Sequence, residues 1–149
     1  MKISVIVPVY KAEKHLGATL DSLIGQTHDD LEIICVNDGS PDRCEDILKD
    51  YAARDARIVV IEQPNQGVSV ARNTGIAHAS GDILMFVDAD DTLVPHACAR
   101  VNRTFETQSP DVLTFGLECD PPEAAPASLR RELAPRDVVY EGFEPALLF

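Results

Sequence analysis

Apolar positions along this chain alternate between two rhythms. Ile3, Val5, Ile6, Val7 and Val9 form a nearly continuous β-branched run that stops at Pro8 to Tyr10, as a strand buried on both faces does. Leu16, Leu20, Leu23 and Ile24 then recur at helical spacing, and Leu31 to Val36 is a second buried run ending in Asn37, Asp38 and Gly39. Ser40 with Pro41 is a helix-start signal, because Pro is tolerated at the first helical position, and Cys44, Ile47, Leu48 and Tyr51 supply the next apolar stripe. Arg57 to Ile61 reads as a third strand, Pro64 to Gly67 as a loop, and Val68 to Ala79 as a helix closed by Gly81. Ile83 to Val87 is a fourth strand, Pro95 opens a helix carrying Cys98, Val101 and Phe105, and Asp111 to Phe115 is a short fifth strand.

Strands alternating with helices at this spacing predict right-handed βαβ units, hence an α/β, Rossmann-like, mainly parallel sheet with helices on both faces. The rhythm fails beyond Gly116, where Pro121, Pro122, Pro126 and Pro135 punctuate a stretch without periodicity. Val138 to Tyr140 reads as a strand, and Phe143 to Phe149 as two turns of helix, since Phe143, Leu147 and Leu148 share a face. The expected division is a βαβ domain over 1–116 and a Pro-containing excursion over 117–149 that opens a second half and is cut short.

Composition narrows the class. A chain of 149 residues, 45% hydrophobic and 26% charged, is an ordinary globular domain. Its formal charge of -12 argues against nucleic acid as a partner, because that needs a basic face able to release counterions. An anionic small ligand would then need a metal ion or a local cationic pocket. Four cysteines, Cys35, Cys44, Cys98 and Cys119, show no Cys-x-x-Cys pair and read as reduced core thiols. The chain opens on a strand with no signal peptide, and no apolar stretch reaches the roughly 18 residues of a membrane span, so a cytoplasmic location is expected. Any membrane association, for example at the inner face, would have to come from parts outside this chain.

Chemistry concentrates where strands end. Three carboxylates, Asp88, Asp90 and Asp91, follow the fourth strand directly, and alternation along an extended chain would put Asp88 and Asp90 on one side, within reach of a common ion. Two carboxylates about 4 Å apart repel by roughly 4 kcal/mol at an effective dielectric of 20, so the pair wants a proton or a cation, and oxygen-only ligands favour Mg or Mn. The same residues also read as an acidic turn in which Asp91 or Thr92 caps the following helix. At the second strand end, Asp38 is either an Asp-Gly turn residue or a carboxylate that accepts a base N–H while Tyr10, at the first strand end, stacks on a planar ring such as uracil. Arg72 sits one turn into a helix entered through Asn65, Gln66 and Gly67, where a guanidinium can bind a diphosphate or pair with a surface acid. His15, His28, His78 and His96 show no metal-ligand spacing and read as surface or packing residues. Gly-x-Gly-x-x-Gly does not follow strand one and Gly-x-x-x-x-Gly-Lys-Ser/Thr is absent, which argues against dinucleotide and P-loop enzymes. Strand one lacks the terminal carboxylates that a receiver domain needs.

Taken together, Ser4 to Tyr10 with Pro-Val-Tyr, Asn37 to Ser40, Gly-x-x-x-Ala-Arg-Asn-x-Gly within Asn65 to Gly75, and Asp-x-Asp within Gly81 to Asp91 resemble the nucleotide-binding half of the family 2 inverting glycosyltransferases over residues 2–116. The resemblance implies a GT-A type fold and transfer of a sugar from a nucleotide-diphosphate sugar to a saccharide or lipid-linked acceptor hydroxyl. Pro8, Val9, Tyr10, Asp38, Arg72, Asp88 and Ala89 would contact the nucleotide, usually a uridine diphosphate. Asp90, with Asp88, would ligate Mn or Mg. The family's catalytic base is expected beyond Phe149, since Glu118, Asp120, Glu123 and Asp137 sit at no clear strand end. The chain therefore reads as the donor-binding part of a longer enzyme, with a non-catalytic nucleotide-sugar-binding module as the alternative.

Overall fold

The computed structural model describes residues 1–114 and 138–140. It divides into two compact units, Met1–Arg103 and Thr104–Phe149. The first contains β1 (Ile3–Val9), α1 (Leu16–Ile24), β2 (Leu31–Asp38), α2 (Cys44–Arg54), β3 (Ile58–Gln63), α3 (Val68–His78), β4 (Ile83–Phe86) and the start of α4 (Ala97–Gln108). In the second, β5 (Val112–Thr114) pairs antiparallel with β6 (Val138–Tyr140). The expected helix over Phe143 to Phe149 lies outside the described residues.

The first unit is built on a four-stranded parallel sheet in the order β3-β2-β1-β4. Every residue of β1 is buried, as its unbroken apolar run requires. From β1 the chain moves outward through α1 and α2 to β3, then returns through α3 to the other side of β1. With right-handed crossovers this reversal places α3 on the opposite face from α1 and α2. Ile34 and Val36, which share a face of β2, cluster with Ala71 of α3. A Cβ at Gly75 would overlap Ile6 Cγ2, so only glycine lets α3 lie this close to the sheet. On the other side Leu16, Leu20, Leu23 and Leu48 are fully buried.

Several boundaries differ from expectation. β3 runs two residues past Ile61 and starts at Ile58, because Arg57 is occupied by Asp55 through its main-chain N–H and guanidinium. β4 stops at Phe86, and Ile83 and Met85 are buried whereas Leu84 and Phe86 are each 44% exposed. The fourth run is thus not buried on both faces: among the described residues it forms a sheet edge with one face covered. α4 starts at Ala97 rather than Pro95, whose carbonyl instead accepts Thr27 N–H at 2.9 Å. Cys35, Cys44 and Cys98 are free and buried; burial pushes Cys35 up to about 12 and Cys98 to about 11, which leaves both thiols protonated and inert. Cys119 lies outside the described residues. Among those described, no helix is long and apolar enough to cross a membrane.

Candidate functional site

The chain reverses direction between β1 and β4, and in open parallel sheets that switch point opens a crevice at the carboxyl ends of the strands. A cavity of about 540 Å³ lies there, lined by Pro8, Val9 and Tyr10 after β1, by Asp38 at the end of β2, and by Asp88, Ala89 and Asp90 after β4. Asn65, Gly67, Val68, Ala71 and Arg72 contribute from the α3 side. This volume is in the range of small-ligand sites. Tyr10 is 45% exposed, so its ring has a free surface, and Lys11 Nζ stands 5.1 Å from the ring centroid.

Asp38 is only 3% exposed and holds the loop between β3 and α3. Its Oδ1 accepts Gln63 Nε2 at 2.7 Å and Gln66 N–H at 2.9 Å, and its Oδ2 accepts Gly67 N–H at 2.8 Å. Burial alone would push this carboxyl up, but the donors at Gln66, Gln63 and Gly67 outweigh it and hold it below the usual range, so it is ionised. Gly39 follows with φ 62°, and a Cβ there would sit 2.8 Å from Asn65 N, so glycine is required at the turn.

The aspartates form a turn rather than a continuation of the strand. Asp91 N–H donates to the Asp88 carbonyl at 3.0 Å, so strand alternation does not set the carboxylate spacing. Neither Asp91 nor Thr92 caps α4, which starts five residues beyond Thr92; Gln26 Oε1 accepts Cys98 N–H at 2.9 Å instead. Helix α1 and the residue after its C-terminal cap fix the turn and the segment beyond it: Thr19 Oγ1 donates to the Ala89 carbonyl at 2.8 Å, Ser22 Oγ accepts Leu93 N–H at 3.1 Å, and Gln26 Nε2 donates to the Val94 carbonyl at 2.9 Å. Arg72 NH2 donates to Asp88 Oδ1 at 2.7 Å, and Arg72 Nε is buried without a partner. The Asp91 carboxyl is pushed up, first by desolvation and then by the charges of Asp90 and Asp88, which marks this turn as a place short of positive charge.

Among the described residues no three His, Cys, Asp or Glu side chains gather into a ready-made metal cage. Asp88 and Asp90 nevertheless line one cavity with all-oxygen donors. That set fits a hard divalent cation, which is commonly held by one or two carboxylates and completed by phosphate oxygens and water.

Residues 4–138 match the family described as Glycosyl transferase family 2. The chain belongs to this family. This family 2 chain is 47% identical over 115 residues to "Uncharacterized glycosyltransferase EpsJ" of Bacillus subtilis (strain 168), covering 77% of the chain and 33% of EpsJ. It is 39% identical over 140 residues to the poly(ribitol-phosphate) beta-glucosyltransferase of Bacillus spizizenii, covering 91% of the chain and 22% of that enzyme. The chain thus spans about a third or less of these relatives' length. Among solved structures, S. aureus TarS 1-349 in complex with UDP aligns at a TM-score of 0.70 and 30% identity, over 74% of the chain and 34% of TarS 1-349. TarS 1-349 has also been solved with UDP-GlcNAc. The GT-A architecture expected from the sequence is therefore that of this family 2 chain.

All the candidate residues taken from the family pattern, Pro8, Val9, Tyr10, Asp38, Arg72, Asp88, Ala89 and Asp90, line the one cavity. Arg72 does pair with an exposed acid, Asp88, and that acid lines the same cavity. Glu118, Asp120, Glu123 and Asp137 lie outside the described residues. Lys11, Ala12 and His15 line the cavity without having been singled out as site residues. The available signal was position: all three follow β1 within six residues of Val9. Of the other histidines, His28 meets the Met1 carbonyl, His78 the Thr74 carbonyl and His96 the Thr27 hydroxyl, and none lines the cavity.

Proposed function

We propose that this chain binds a nucleotide-diphosphate sugar, with uridine as the nucleoside, as the donor-binding part of an inverting glycosyltransferase that uses Mn or Mg. The observation that carries the reading is the convergence of three strand ends, bearing Tyr10, Asp38 and the Asp88 to Asp90 turn, on one cavity beside Arg72. In this reading Tyr10 stacks on the base, ionised Asp38 accepts a ring N–H, and Arg72 meets the diphosphate while Asp90 and Asp88 hold the cation. When bound, the cation would neutralise the diphosphate and stabilise it as a leaving group. Inversion is a single displacement at the anomeric carbon, in which the acceptor oxygen forms the new bond as the diphosphate departs and a carboxylate base takes the hydroxyl proton. Support for uridine comes from the UDP and UDP-GlcNAc complexes of TarS, and support for a polyol-phosphate acceptor comes from the name of the Bacillus spizizenii relative.

Titration calorimetry with uridine diphosphate and Mn tests the reading. Asp38→Ala should weaken binding by about 5 to 150-fold, the range expected when one buried hydrogen-bonding partner costs about 1 to 3 kcal/mol. Equal affinity for the two proteins would remove Asp38 from the site.

A further inference from the structure

We propose that Gln63 is a positioning residue that sets base selection through Asp38: held between Thr74 and the carboxylate, it leaves Asp38 one open acceptor position, which suits uracil and mismatches guanine and cytosine. The inference rests on reading the cavity as a nucleoside diphosphate site.

A carboxylate has about four lone-pair positions. Gln63 Nε2 and Gln66 N–H fill both on Oδ1, and Gly67 N–H takes one on Oδ2, so one is left. An ionised carboxylate only accepts, which turns the Gln63 amide nitrogen toward Asp38 and its oxygen away. That oxygen accepts Thr74 Oγ1 at 2.7 Å, so the amide is fixed at both ends. Thr74 lies on α3 two residues after Arg72, and Gly67 immediately precedes α3. The same small network therefore ties the reader of the base to the helix that carries the guanidinium.

The three bases ask different things of a single acceptor. Uracil presents one ring N–H between two carbonyls. Guanine presents a ring N–H beside an exocyclic amine, and with one open position the second donor goes unpaired, a loss the site does not repay. Cytosine has no hydrogen at the equivalent ring nitrogen and would set lone pair against lone pair, the kind of mismatch that a hydrogen-bonding site rejects most strongly.

The test is titration calorimetry of UDP, GDP, CDP and inorganic diphosphate, each with Mn, on the parent, Gln63→Met, Thr74→Val and Gln63→Glu. The parent should prefer UDP over GDP and CDP by at least about tenfold, the size of one buried hydrogen bond. Gln63→Met removes a donor from Oδ1 and should shrink the UDP-to-GDP ratio at least about fivefold while diphosphate affinity holds, and Thr74→Val should shift it the same way. Gln63→Glu adds a carboxyl against Asp38, and two such groups share a proton more tightly than either alone holds one. The protonated carboxyl restores the donor, so this variant should regain the UDP preference toward pH 5 and lose it toward pH 8. The other charged groups of the cavity are Lys11, His15, Arg72, Asp88 and Asp90, while Glu62 turns to Asn37 Nδ2; all are common to parent and variant, so the comparison is their ratio at each pH. An unchanged UDP-to-GDP ratio in both Gln63→Met and Thr74→Val, or a pH-independent Gln63→Glu, would overturn the role of Gln63. A parent that binds neither nucleotide nor diphosphate would overturn the site reading itself, and the inference with it.

Discussion

Arg72 and Asp88 offset one another across 2.7 Å, whereas among the described residues no cation forms an ion pair with Asp90. That asymmetry makes Asp90 the carboxylate with charge to spare for a cation. Asp90→Asn keeps the side-chain volume and removes the charge, so Mn-dependent binding of uridine diphosphate should fall at least about tenfold with the thermal unfolding midpoint unchanged. Calorimetry with and without Mn measures the first and a melting scan the second; undiminished Mn dependence would take Asp90 out of the metal site. At this scale the sequence was partly legible. It offered Asp38 as either a turn residue or a site residue, and the structure shows one carboxylate that organises the loop at 63–67 and lines the cavity. The donors that keep it ionised lie 25 to 29 positions away, so no local pattern could reveal them.

Elements hold the site through polar rungs that look like solvent-facing positions in the sequence. The apolar stripe of α1 announced a helix, yet Thr19, Ser22 and Gln26, spaced to share a face, anchor the acidic turn and the approach to α4. Thr19 is fully buried, so Thr19→Val, nearly the same shape, leaves the Ala89 carbonyl without its donor. The expected cost is about 1 to 3 kcal/mol in urea unfolding, with weaker Mn-dependent nucleotide binding; full stability would mean that the turn holds itself. At the opposite end of the sheet Glu32 of β2 ties β1 to the loop between α3 and β4, accepting Lys2 Nζ at 2.6 Å, Ser4 Oγ at 2.5 Å and Ser80 N–H at 2.6 Å. Burial would raise its carboxyl, but Lys2, Ser4 and Ser80 together bring it down to about 2 from an ordinary 4.5. A folded value below the unfolded one means the folded chain binds fewer protons, so this stabilisation is complete above about pH 4.5 and is lost as pH falls toward 2. Glu32→Gln should therefore cost on the order of 2 to 3 kcal/mol at pH 7, with the gap to the parent narrowing from about pH 4.5 and closing toward pH 2. A gap that stays constant with pH would assign the effect to shape rather than charge.

Across the whole molecule the fold was the most legible level, because burial on both faces of β1 and β2 demands unbroken apolar runs and the sheet order follows from alternating elements. Edges were harder: the run after Gly81 is as unbroken in apolar residues as those of β1 and β2, but Leu84 and Phe86 are exposed, and a sequence does not state which strand has a neighbour. The same limit governs activity. In the proposed site donor binding rests on the strand ends of the first unit, whereas transfer also needs a base placed against the acceptor hydroxyl, and the carboxylates that line the cavity all have other roles there. Asp38 faces the base, and Asp88 and Asp90 face the cation and diphosphate. Leaving-group stabilisation without a positioned nucleophile does not give catalysis. We therefore expect the 149-residue chain to bind uridine diphosphate with Mn and to transfer no sugar from UDP-GlcNAc to saccharide or polyol acceptors. Radiolabelled sugar transfer is the measurement. Measurable transfer by this chain alone would falsify the donor-half reading and direct the search for a base to Glu118, Asp120, Glu123 and Asp137.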